Sequence, residues 1–276
     1  MGTIHINGEC AAALGPPLLC ATISKNMQSG IHISLAAERV GSLFGIPVTN
    51  TLITSWIVMT VLILTAFFVG RRISMVPSRF QTFLEWLVEY VYDFITETLE
   101  DRTWARRMFP LLMTIFLFIA TSNLLEFTPG VGSIIIKQGA EWVPLLRSVN
   151  SDLNTTLALA IISVFSIEIA GIVAVGLFRY GGKFINFSSP LNFIVGLIEL
   201  ISELSRFVSF SFRLFGNVFA GEVLLAVAGY FVPYILPVPL MSFELFVGIV
   251  QAAVFALLTL FFVKLAIMEP HGEEAH

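Results

Sequence analysis

Residues 52–69 read LITSWIVMTVLILTAFFV, eighteen residues without an Asp, Glu, Lys or Arg. As a helix this run is about 27 Å long, close to the ~30 Å hydrocarbon core of a bilayer. Backbone groups in hydrocarbon must be satisfied within their own segment, which a helix does and an open strand does not. The run therefore reads as a membrane-spanning helix. Of the 276 residues 57% are hydrophobic and only 12% charged, where a soluble domain is about a quarter charged. The fold class is all-α integral membrane.

Working outward, Met108 to Phe127 is a second apolar run, entered through Arg106-Arg107 and left at Thr128-Pro129-Gly130. Asn154 to Phe178 is a third, closed by RYGGK. The remaining apolar residues predict two long helices, about 190–232 and 242–268. PYILPVPL between them holds three prolines, which stop helices, so the pair forms a hairpin over about 190–268. About five transmembrane helices result. Between the first two lies QTFLEWLVEYVYDFITETLEDRTW, where Glu85, Glu89, Asp93 and Glu97 share one face and Leu84, Leu87, Val88, Val91 and Ile95 the other. That pattern predicts an amphipathic helix over about 80–102, lying along the membrane surface or docking a partner helix. Residues 1–50 read as an extramembrane or interfacial tail, 51–268 as a single helical membrane domain, and 269–276 as a C-terminal tail. CAAALGPPLLCA near the start has no Lys or Arg before it and a proline pair in its middle, unlike a cleaved signal.

Several function classes are excluded by what the charges and thiols do. The basic residues are scattered, mostly at segment ends, so no nucleic-acid patch is expected. Cys10 and Cys20 are not a framework; a disulfide in an oxidising space and two separate thiols both accommodate them. His5, His32, His271 and His276 lie near the ends, so neither a metal site nor a cofactor is expected. Arg71, Arg72, Arg79, Arg102, Arg106 and Arg107 crowd the segment 70–107, whereas 129–153 has only Lys137 and Arg147. The positive-inside rule then puts 70–107 and the C-terminus in the cytoplasm and the N-terminus outside.

The polar groups inside the apolar helices carry the functional signal. In SFRLFGNVFAGE (211–222) an arginine sits in a run otherwise built for hydrocarbon. At ~100° per residue, Ser209, Asn217, Arg206 and Glu199 fall within about 40° of Arg213, while Glu222 points to the opposite side. Glu199 and Glu203 are placed to pair with Arg206, but no acid of this helix is placed to neutralise Arg213. An arginine at the bilayer centre costs about 3 kcal/mol on insertion scales and cannot lose its proton. The simplest resolution is a carboxylate supplied by another subunit. Glu244 and Gln251, seven apart on the last helix, share a face that is expected to bring Gln251 near Arg213 and Glu244 near Glu222.

Four collinear blocks also carry a resemblance: PSRFQTFLEWLVEYV, SDLNTTLALA, ELISELSRFVSFS running into RLFGNVFAGE, and the Glu244-to-Gln251 spacing. Together they resemble subunit a of F-type ATP synthases, from about residue 40 to the last helix. The resemblance implies a non-catalytic stator subunit in an energy-coupling membrane, such as a bacterial inner membrane. Its implied partners are c-ring subunits, peripheral-stalk b subunits and membrane lipid, and its implied ion is the proton, with sodium as the alternative. Arg213 takes the place of the family's essential arginine, facing a c-ring carboxylate between two offset half-channels. Glu222, Glu244 and Gln251 match outer-channel positions, Asn217 and Ser209 flank the arginine, and Asp152 with Asn154 matches an outer mouth. Glu199 matches an inner-channel carboxylate. Glu222 and Glu244 are both acidic here, whereas some relatives put a histidine at one of them, so either can relay the proton. Glu168 has no counterpart and reads as channel lining or as a buried protonated acid.

Two other readings stand beside this one. A self-contained proton- or ion-coupled transporter would use Glu168, Glu222 and Glu244 as carriers, yet the chain shows no paired repeats with broken helices. A structural scaffold would use the same polar groups as interhelical glue, and would tolerate loss of Arg213.

Overall fold

Asn50 to Arg71 forms helix α1. In the computed structural model, which describes residues 38–43, 46–71, 78–128, 135–138, 141–184, 190–232 and 235–268, it buries only its first two turns, through Asn50, Thr51, Thr54, Ser55 and Val58. The rest of α1 is an apolar surface suited to lipid. A two-stranded antiparallel ribbon, β1 (Arg39–Leu43) and β2 (Ile46–Thr49), leads into it. A second, β3 (Ile135–Gln138) and β4 (Glu141–Pro144), lies in the segment expected to be a plain loop. Cys10, Cys20, the four histidines and the C-terminal tail fall outside the described residues.

The amphipathic helix α2 spans Arg79–Leu99, with Ser78 Oγ capping it by accepting from the Gln81 N–H at 3.3 Å. All four acids of its polar stripe are exposed, while Ile95 and Leu99 are buried. It stops at Glu100, which adopts a left-handed conformation (φ 57°) and returns its N–H to the Thr96 carbonyl. Asp101 then caps α3 (Arg102–Glu126) by accepting from the Thr103 N–H. The helix thus starts six residues before the Met108 expected from hydropathy, because the cap rather than the apolar run sets its beginning. Lys264 donates to Glu100 at 2.8 Å, joining this corner to the end of the last helix. The hydrogen bond and charge of Lys264 hold the Glu100 carboxyl below the usual carboxylate range.

Helix α4 (Leu153–Val175) ends at Gly176, whose φ of 94° is open to glycine and strained for other residues. The expected span ran on to Phe178. Instead the chain turns into the short helix α5 (Leu177–Phe184), which packs on α4 and α6. Tyr180 of α5 is buried against Gly171, where a Cβ would overlap its ring. Helix α6 (Pro190–Phe231) has 42 residues, or about 63 Å, twice the hydrocarbon thickness. It must therefore tilt strongly or extend beyond the membrane. Helix α7 (Pro237–Ile267) starts earlier than the expected residue 242, since Pro237 and Pro239 sit in the first turn, where a missing N–H breaks no bond.

The bundle is organised around α7, which packs against α3, α4 and α6 and is crossed near its end by α2. One buried cluster joins Ile95 and Leu99 of α2 to Leu112, Ile167, Leu260 and Val263. A second, at the level of the arginine motif, joins Ile115, Ile119, Ala160, Phe210, Leu214, Ala252 and Phe255, with Phe210 and Phe255 edge-to-face at 4.9 Å. Among the described residues five helices are long and apolar enough to cross a membrane, as the sequence predicts.

Gly171→Ala is expected to cost about 1–3 kcal/mol by driving a methyl into the Tyr180 ring. Resistance to SDS unfolding measures this, and adding Tyr180→Ala should cost less in that background than alone.

Candidate functional site

Around α6 the core side is taken by Phe210, Ser211 and Leu214, all buried. Arg213, between them in sequence, is turned outward and exposed. Its guanidinium donates to Ser209 Oγ at 3.3 Å, one turn back, and makes no ion pair among the described residues. Arg206, two turns earlier, is treated differently. It donates to Glu203 at 2.7 Å and stacks over the Phe262 ring at 4.1 Å, so its charge is met within the chain. Between the two arginines lies a cavity of about 270 Å³, with Ser202, Ser205 and Ser209 on α6 and Leu258 on α7 among its walls. Glu199 is half-buried further toward the start of α6.

On the other side of Arg213 the polar groups of α6 and α7 meet. Asn217 Nδ2 donates to Gln251 Oε1 at 2.7 Å, so Gln251 is taken by Asn217, one turn beyond the arginine it was expected to approach. Glu222 accepts from Arg147 Nη2 at 3.2 Å. Glu244 lies against Gly221, where a Cβ would collide with its carboxyl, and neither of its oxygens has a hydrogen-bond partner among the described residues. The carboxyls of Glu126, Glu222 and Glu244 are close enough to interact electrostatically. Asn123 donates to the Gly248 carbonyl at 2.8 Å and accepts from Asn150 at 2.7 Å. Asn123, Glu126, Asn217, Glu244 and Gln251 enclose a cavity of about 10 Å³, room for about one water.

A cation without an acid among the described residues, with separate polar cavities to either side of it, is the arrangement to compare with known proteins. A family model described as "ATP synthase A chain" matches residues 52–264, and so takes in all five long apolar helices. This chain belongs to that family. It is 34% identical over 230 residues to "ATP synthase subunit a, sodium ion specific" of Propionigenium modestum, covering 83% of this chain and 78% of the relative. It is 33% identical over 218 residues to "ATP synthase subunit a" of Moorella thermoacetica (79% and 90%). "ATP synthase subunit a 3" of Pelobacter propionicus is 30% identical over 258 residues (92% and 99%).

The remaining predicted residues of this family member fall in two places. Asp152, 4% exposed, caps α4: it accepts from the Asn154 N–H at 3.0 Å and from Asn154 Nδ2 at 3.1 Å. It also accepts from Thr51 Oγ1 at 2.8 Å, which ties α1 to α4. Glu168 stands apart from the cluster of Glu126, Glu222 and Glu244, hydrogen-bonded with Tyr180 and with Oε1 buried and without a partner among the described residues. Burial, followed by that bond, pushes the Tyr180 hydroxyl above the ordinary tyrosine range.

Sequence reasoning missed Arg147, Asn123 and Glu126. Asn123 and Glu126 had a readable signal, two polar groups at the end of an apolar span. Arg147 did not, because a loop arginine 75 residues before Glu222 has no local pattern to announce the pair. Removing the cation by Arg147→Gln leaves Glu222, a third exposed, facing the bundle alone. The expected loss is about 1–3 kcal/mol, below the value for a fully buried pair because solvent screens this one. A double-mutant cycle with Glu222→Gln in SDS unfolding should recover a coupling of similar size.

Proposed function

We infer that this chain is the ion-translocating stator subunit of a rotary ATP synthase, with Arg213 as the fixed cation against which ring carboxylates turn. The observation that carries the reading is the contrast between two arginines on one helix. Arg206 is neutralised by Glu203, whereas Arg213 is presented outward without an acid among the described residues. A permanent charge in an apolar belt is stable only if a partner of opposite sign meets it. A c-ring that presents one carboxylate per subunit supplies such a partner. The many exposed apolar side chains of α6 suit contact with a ring surface.

The chemistry follows from that charge. A proton entering from outside passes the mouth at Asp152 and Asn154 and reaches Glu222 and Glu244. It then moves past Gln251 and Asn217 to a ring carboxylate on the outer side of Arg213. After the ring turns, the next carboxylate to approach Arg213 is favoured as the anion, because the guanidinium stabilises the ionised form. It releases its proton into the inner cavity beside Ser202, Ser205 and Ser209, with Glu199 toward the exit and Glu168 extending the polar wall. Arg213 also bars direct transfer between the two sides, since it cannot give up its own proton. Each charge crossing 100 mV is worth about 2.3 kcal/mol, available only through rotation. The ion itself, proton or sodium, is chosen at the ring carboxylate. The chain performs no ATP chemistry. The peripheral-stalk b subunits hold it against rotation, with 70–107 and the C-terminus on the cytoplasmic side of a bacterial inner membrane.

Family membership supports the stator over a self-contained transporter, and an unpaired outward arginine has no use as packing glue. In reconstituted complex, Arg213→Ala is expected to lower ATP-driven proton pumping at least about a hundredfold, the rate equivalent of a lost ~3 kcal/mol charge pair. Assembly should survive, as the side chain is exposed and makes no ion pair among the described residues. Arg213→Lys is expected not to restore pumping, since a lysine in this position can deprotonate. Fluorescent pH quenching in vesicles reads both, and normal pumping by either variant would overturn the assignment.

A further inference from the structure

The bundle has a third cavity unrelated to Arg213. It is an apolar groove of about 290 Å³ where α2 crosses α3 and α7, lined by Tyr90, Phe94, Met113, Phe116, Ala253 and Ala256 among others. Its α3 and α7 walls belong to spanning helices, so it lies at hydrocarbon depth. The small side chains of Ala253 and Ala256 leave the space open. Beside it on α2, Phe83, Trp86 and Tyr90 form an exposed ladder, with Trp86 and Tyr90 stacked at 5.9 Å. Trp and Tyr favour the boundary between headgroups and acyl chains.

Charge identifies the occupant. On α3, Arg106 is seven residues and Arg102 eleven residues before Met113, and at ~100° per residue both fall within about 20° of it. The two arginines therefore stand above the groove on the same face, about 10 and 16 Å toward the helix start. That span matches one ~15 Å bilayer leaflet. Both are exposed and neither makes an ion pair among the described residues. Of the acids of α2, Glu85 and Glu89 lie on the far side of that helix from its groove-lining residues, Asp93 and Glu97 fall about 60° and 20° from Tyr90, and Glu100 is engaged by Lys264.

We propose that this groove is a binding site for one anionic phospholipid of the leaflet on the Arg102 side, its acyl chain between α2, α3 and α7 and its phosphate on Arg102 and Arg106. The site wedges a single lipid under the amphipathic helix and fixes the angle at which α2 leaves α3. It does not depend on the role of Arg213.

The test uses the full chain, purified in detergent and offered equal amounts of phosphatidylglycerol and phosphatidylcholine with the same acyl chains. Retained lipid is counted by native mass spectrometry. One phosphatidylglycerol is expected to stay bound, preferred about fivefold or more over phosphatidylcholine. Arg102→Gln with Arg106→Gln, both surface changes, should bring that preference close to one. Ala256→Phe fills the groove and should remove the retained lipid with the arginines intact. Equal retention of both lipids by the unaltered chain, or a preference that survives loss of both arginines, overturns the proposal. In the assembled complex, a photo-reactive group at Met113 should label phospholipid, and a polypeptide adduct would show that a protein fills the groove instead.

Discussion

A guanidinium keeps its proton at any physiological pH, so an arginine in an apolar helix needs a counter-charge from somewhere. Everything around Arg213 follows from that requirement. The helix that carries it must hold its other polar groups so that none neutralises it, while the bundle stays packed. Phe210, Ser211 and Leu214 anchor α6 inward, and Arg213 is left on the outward face with a single neutral contact to Ser209. The cation therefore stands on the outward face with no acid of the described residues beside it.

Carboxylates are dealt with separately. Glu203 is spent on Arg206 and Glu222 on Arg147, each a pair closed within the chain. Glu100 is held by Lys264 at the membrane edge. Each of these acids is thereby met by a cation of its own chain. Glu244 has neither a cation nor a hydrogen bond among the described residues, and it comes against α6 because Gly221 has no side chain there.

The sequence reveals those parts of this arrangement that repeat locally. Eighteen uncharged residues announce α1, acids every four residues announce α2, and ~100° per residue separates Arg213 from Glu222. Long-range partners leave no such trace. Arg147 reaches Glu222 from a loop, Thr51 reaches Asp152 from another helix, and Tyr180 reaches Glu168 only because Gly176 breaks α4 and Gly171 leaves room. Helix ends were also misjudged where capping outweighs hydropathy: Asp101 starts α3 early, and two prolines open α7 instead of ending the turn before it. Periodicity reports which face a residue occupies, but pairing across the bundle is a property of tertiary packing.

The small cavity at Asn217, Glu244 and Gln251 has a further consequence. A space of about 10 Å³ accommodates one water, not a hydration shell. An alkali cation crossing it would have to shed its waters and take oxygen ligands from Glu244 and Gln251 at once. A proton needs only to hop along one water and two side chains, with no atom heavier than hydrogen changing place. On the proposed path this space suits a hydrogen-bonded relay, and a hydrated ion would need the side chains around it to part.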